Sequence, residues 1–237
     1  MEREPIFNVP ASVIAALGLL TAVHVGLQLL PMAEANWTTL ALAFIPARYA
    51  GLAEELPGGL AAAVASFATY QLLHADITHL LVNGAWLLAF GSAVARRVGA
   101  MRFFLFATLC GAGGALMFLV FRWGELVPVV GASGAVSGLM AAALRFFFGA
   151  ADRGDLDQLQ SAPATVPLIS LAETLTNRRI LTVVVVWVII NFVMAVAVPA
   201  SISAGGIAWE VHLGGFLVGL LTFGAFDPVR ERSPIQN

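Results

Sequence analysis

The stretch ILTVVVVWVIINFVMAVAV, residues 180–198, runs for nineteen residues without a single charge. At 1.5 Å per residue an α-helix of that length covers about 28 Å, close to the ~30 Å hydrocarbon core of a bilayer. It lacks the strict alternation of a barrel strand, and a lipid-embedded segment must satisfy its own backbone, so it reads as a membrane-spanning helix. Comparable apolar runs lie at 10–30, 77–95, 101–121, 133–148 and 207–226, which makes six spans. Composition agrees. Of 237 residues, 59% are hydrophobic and 11% charged, against roughly 25% charged in a soluble domain. Mean hydropathy is +0.90. A soluble enzyme, a disordered chain and a nucleic-acid binder are excluded on these grounds. All 12 basic residues are Arg, 14 residues are acidic, and the net charge of −2 implies no electrostatic partner. The lone Cys110 excludes an internal disulfide framework and a thiolate-rich metal site. The sequence therefore predicts an all-α polytopic membrane protein.

The first span reads as retained rather than as a cleaved signal. Its leader Met1-Glu2-Arg3-Glu4 is not positive, and its apolar run exceeds the usual ~7–15 residues. Arginine placement sets the expected orientation. Ten of the 12 arginines fall on the side shared by both termini and the loops after the second and fourth spans, leaving Arg48 and Arg122 opposite. Both termini are thus expected in the cytoplasm, with tails at 1–9 and 227–237 around one membrane domain at 10–226. The cytoplasmic segment 149–179, with Asp152, Asp155, Asp157 and two prolines, reads as a solvated loop. The external segment 31–74 is long. Its apolar half, 60–73, is too short to span and fits an interfacial or re-entrant segment.

Polar groups at bilayer depth cost about 2.5–3.5 kcal/mol on insertion scales, so each asks for a reason. Counting the helical rise from the cytoplasmic end puts Ser133 about 22 Å, His212 about 21 Å, His79 about 24 Å and Asn83 about 18 Å up. Three spans thus present polar groups in one layer below the outer surface. Ser133 sits in Gly131-Ala132-Ser133-Gly134 at the start of the fourth span, where the glycines permit a tight turn and close approach. Unpaired amides at a helix N-terminus could serve a developing oxyanion, although Gly-x-Ser-Gly is also a common packing and N-capping motif. His212 precedes Gly214 and Gly215, and Gly215 with Gly219 forms a small-xxx-small face. His79 and Asn83, at i and i+4, share a helix face and could direct two donors to one point. Hydrogen bonding between helices is the alternative for all of these, and the default for His24, Gln28 and Asn191. His74 suits structural support at the external end of the second span, and Glu210 is expected to reach the outer interface.

In order, His74, His79-Leu80-Leu81-Val82-Asn83 leading to Phe90-Gly91, Gly131-Ala132-Ser133-Gly134 and His212-Leu213-Gly214-Gly215-Phe216 resemble the rhomboid family of intramembrane serine proteases. The resemblance covers about residues 67–226. It implies a six-transmembrane-helix rhomboid-like bundle with a long external first loop resting at the membrane surface. It further implies Ser133 as nucleophile and His212 as general base in a dyad. His79, Asn83 and the Ser133 amide would hold the oxyanion, and His74, Gly131, Gly134 and Gly215 would support the site. Transmembrane protein substrates and surrounding lipids are the implied partners; no nucleic acid, cofactor or metal is expected. The all-Arg basic usage and high alanine content fit a bacterial inner membrane, with a mitochondrial inner membrane as the alternative. Two departures stand out. The tyrosine that many members carry one turn after the serine is Ser137 here, so the orientation of His212 must come from elsewhere. The Trp-Arg pair often found in the first loop is not evident, and Arg48-Tyr49 and Tyr70-Gln71 are poor substitutes.

Three other readings compete. An inactive rhomboid-like scaffold that binds membrane helices would usually have lost the serine or the histidine. A transporter would call for mid-membrane charges or inverted repeats, which are not seen. A haem or metal protein using His24, His74, His79 and His212 leaves the Gly-x-Ser-Gly signal unexplained.

Overall fold

The computed structural model describes residues 9–197 and 208–228. Most of both tails, and the ends of the fifth and sixth spans at Val198 and Ile207, lie outside the described residues. Six helices are long and apolar enough to cross a membrane. They are α1 (Ala11–Gln28), α4 (Ile77–Val98), α5 (Ala100–Phe121), α6 (Ser133–Arg153), α9 (Arg178–Ala197) and α10 (Trp209–Phe226). Short helices fill the connections: α2 (Met32–Leu42), α3 (Gly59–Thr69), α7 (Leu156–Ser161) and α8 (Leu171–Thr176). No strand occurs among the described residues, only an isolated bridge between Phe44 and Val129.

α6 is the axis of the bundle, with 83% of its apolar window buried against 6% for α9. The most extensive packing joins α5, α6 and α10. Lipid tails are as apolar as leucine, so helices in a membrane gain little by hiding hydrophobic surface and associate by close packing instead. Glycine allows that here. A Cβ on Gly215 would lie 2.6 Å from the Gly134 carbonyl carbon, and one on Gly219 would lie 2.7 Å from that of Gly138. The backbones of α6 and α10 therefore touch at two successive turns. Halfway along α4 a single π-helical turn, Leu87–Gly91, interrupts the regular winding.

The first loop is a built layer. α2 and α3 lie in it, as expected of non-spanning segments, and Arg48 pins them. Its guanidinium is 2% exposed and donates to the carbonyls of Leu40 (2.7 Å) and Pro57 (2.8 Å). The Tyr49 hydroxyl donates to Ala63 O, and Thr69 Oγ1 donates to Leu42 O at 2.7 Å. Arg48-Tyr49 thus does the anchoring for which the sequence offered no evident pair. Loop carbonyls with no helical partner still need a donor, and a buried guanidinium can serve two at once.

The segment 149–179 is largely solvated, as its aspartates suggest, but it is folded rather than a plain loop: α7, α8 and a 3₁₀ turn lay it against the bundle, burying Val166, Ile169 and Thr174. Arg97 donates to Pro163 O (2.7 Å) and Val166 O (2.8 Å) and pairs with Asp227 (2.7 Å) in a buried ion pair. Arg145 donates to Ile169 O at 2.7 Å and to Leu220 O at 3.1 Å. Arginines that marked this end by the charge rule also clamp it.

The glycine contacts make an opposing pair of predictions. Gly219→Val should cost at least about 1–3 kcal/mol through overpacking. Gly224→Ala, which meets nothing within 4 Å, should be neutral or gain up to about 1 kcal/mol of helix propensity. Thermal unfolding of the two variants in one detergent checks both signs.

Candidate active site

At the end of the bundle that bears the first loop, the spans present their polar residues within the first two turns. Ser133 is the first residue of α6 and His212 the fourth of α10; His79 and Asn83 are the third and seventh of α4. The Gly134–Gly215 contact joins the first turns of α6 and α10, where Ser133 neighbours Gly134 and His212 stands three residues before Gly215. No side chain caps α6, so its first-turn amides keep donors that the helix cannot use.

The approach to Ser133 is fixed from the first loop. Phe44 and Val129 exchange two backbone hydrogen bonds (3.1 and 2.9 Å), Ala47 N donates to Glu125 O (3.0 Å), and Gly131 N donates to Tyr70 O (2.9 Å). Gly131 has φ +121°, a conformation that L side chains rarely adopt. A Cβ there would also lie 2.7 Å from the His79 ring. That closeness brings His79 to the turn just before Ser133. Asp76 caps α4 by accepting from His79 N at 2.8 Å. His74 packs edge-on against the His79 ring, with centroids 5.1 Å apart, and its carbonyl meets His24 Nδ1 at 3.3 Å. His24 therefore ties α1 to this end, as a bonding rather than a reactive residue.

Some expectations need correction. Asn83 is buried, and its Nδ2 donates to His79 O at 2.9 Å, one turn back on its own helix. One amide hydrogen remains for another acceptor. Glu210, the second residue of α10, is 1% exposed and accepts from Arg122 Nε at 2.7 Å, an ion pair between the ends of α5 and α10. Ser137 Oγ donates to Ser133 O at 2.8 Å and supports no ring. Among the described residues the Ser133 hydroxyl has no hydrogen-bond partner, and His212 turns Nδ1 toward Asn191 Oδ1 at 2.5 Å. Asn191 thus bonds between helices, as expected, but its partner is the candidate base itself.

Tyr70 was not singled out from sequence. Fully buried, it donates to Gly111 O at 2.7 Å and faces Gly134, joining the first loop, α5 and the start of α6. Its aromatic ring in an apolar stretch gives no sequence signal beyond core packing. No cluster of metal-ligating side chains occurs among the described residues.

Fold and site together define a polytopic helical membrane protein with a polar layer enclosed near one end. Residues 61–226 match the Rhomboid domain, and the chain belongs to the rhomboid family, a family of intramembrane proteases. A comparison with curated proteins finds no significant match.

Burial, with the His79 and His24 imidazoles nearby, pushes His74 down to about 4. Unfolded, the same side chain takes up its proton near 6.5. Between those values the unfolded state binds more protons, so stability should fall as pH drops from about 6.5 to about 4. Unfolding midpoints across that range should show the loss, and His74→Gln should flatten it.

Proposed function

We propose that this protein is an intramembrane serine endopeptidase that hydrolyses peptide bonds in or near transmembrane segments of other membrane proteins. The observation that supports the reading is the contact of Gly134 with Gly215 beside the first turns of α6 and α10, which carry Ser133 and His212, with the His79 ring against Gly131. Ser133 Oγ is the nucleophile. A serine hydroxyl is weak until a base within hydrogen-bond reach takes its proton, and His212 Nε2 is that base. As the proton moves to Nε2, Oγ bonds to the carbonyl carbon and the carbonyl oxygen becomes an oxyanion. The Ser133 amide, His79 and the remaining Asn83 amide hydrogen are its donors. His212 then gives the proton to the leaving amine, the C–N bond breaks, and water repeats the sequence on the acyl-enzyme. The lack of a Ser133–His212 hydrogen bond among the described residues is compatible with this, because catalytic hydrogen bonds often tighten only when substrate binds.

The polar layer near one end of the spans serves both reactants. Water reaches it from the nearer surface, and a substrate helix can unwind there, where freed backbone groups find partners. The arginine distribution supports a cytoplasmic placement of both termini, and the all-Arg basic usage with a high alanine content fits a bacterial inner membrane.

Ser133→Ala and His212→Ala should each abolish cleavage of a single-span reporter while leaving the thermal midpoint unchanged. Asn83→Ala should lower turnover by about 10²–10³, the usual worth of one oxyanion donor, yet leave Ser133 open to a fluorophosphonate. A parent protein that neither cleaves nor labels, but retains single-span helices, would be the inactive helix-binding scaffold instead.

A further inference from the structure

We propose that Asn191 is a positioning residue that sets the tautomer and direction of His212. The inference rests on His212 acting as the base. Asn191 Nδ2 donates to Trp187 O at 2.8 Å, one turn back on α9. A carbonyl only accepts, so the amide nitrogen must face Trp187, and this turns Oδ1 toward α10. Oδ1 meets His212 Nδ1 at 2.5 Å. An amide oxygen also only accepts, so Nδ1 must carry the proton. A neutral imidazole has one N–H. Its Nε2 therefore keeps the lone pair, which is the nitrogen a base presents to a serine.

The neighbours of His212 leave this role open to Asn191. Ser137 spends its hydroxyl on Ser133 O, and Glu210 is engaged by Arg122. α9 itself docks one turn away, where Trp187 stacks on Phe216 with centroids 4.9 Å apart and an interplanar angle of 26°. That stack fixes how far α9 stands from α10 and so where Asn191 Oδ1 falls. Apart from these two points α9 is largely exposed, with Ile180 its one buried residue. An amide on a mostly lipid-facing helix would otherwise carry an insertion cost with no return.

The first test leaves Asn191 in place. The ¹⁵N imidazole spectrum of the full chain in detergent, with the His212 signals assigned by their loss in His212→Ala, reports the tautomer. A protonated Nδ1 is expected, and a protonated Nε2 would overturn the proposal. The second test is kinetic. Asn191→Leu keeps the size but removes the acceptor, and should lower kcat on the order of tenfold to a hundredfold with KM within about twofold. Labelling of Ser133 by a fluorophosphonate should slow in proportion. Asn191→Asp, which keeps an oxygen at that place, should recover most of the turnover. Parental kcat in Asn191→Leu, or a loss that appears only in KM and is not recovered by Asn191→Asp, would sink the assignment while leaving the protease reading intact. An inactive, unlabelled parent would instead defeat the protease reading, and the spectrum would still decide the tautomer. If Asn191→Leu fails to fold, the spectrum and Asn191→Asp carry the test.

Discussion

Backbone-to-backbone contact between α6 and α10 is the constraint from which the rest of the structure follows. Gly134 meets Gly215 and Gly138 meets Gly219, so two spans approach more closely than any side chain would allow. In lipid, where there is no water to flee, such contact is the main attraction available to helices. The first turns of α6 and α10, which carry Ser133 and His212, flank the upper contact, so the same few atoms fix how those two turns meet.

A second constraint is the satisfaction of polar backbone outside the helices. The chain leaves helical geometry in the first loop, before Ser133 and after α6, and each departure exposes carbonyls and amides that must be paired. Arg48, Arg97 and Arg145 meet that need with buried guanidinium groups. The first loop bonds directly to residues 125–131 and so holds the turn that delivers Ser133. What looks in sequence like an external decoration is part of the support of the site.

α9 stands in contrast to this packed interior. Its apolar run is the most continuous in the chain, and it is the least buried span in the bundle. Two side chains fasten it near the site, one by stacking and one by a hydrogen bond to His212. The polar link to His212 ties an otherwise largely exposed helix to the polar layer near that end.

Number, order and approximate ends of the spans were legible from the chain alone, because a bilayer demands about 20 apolar residues per crossing and those runs are local. The common layer of Ser133, His212 and His79 was legible too, since helical rise converts residue number into depth. Depth says nothing about which way a helix is turned. Whether Asn83 spends a hydrogen on its own helix, whether Glu210 meets Arg122 or the surface, and which residue faces His212 in place of a ring at Ser137 all depend on rotation about helix axes. So does the folding of segment 149–179, whose aspartates stay at the surface as expected while Arg97, Arg145 and Arg153 reach its carbonyls. Local hydropathy set how far along each span a residue sits; contact between distant segments alone decided what it touches, because rotation is fixed by packing that no single stretch contains.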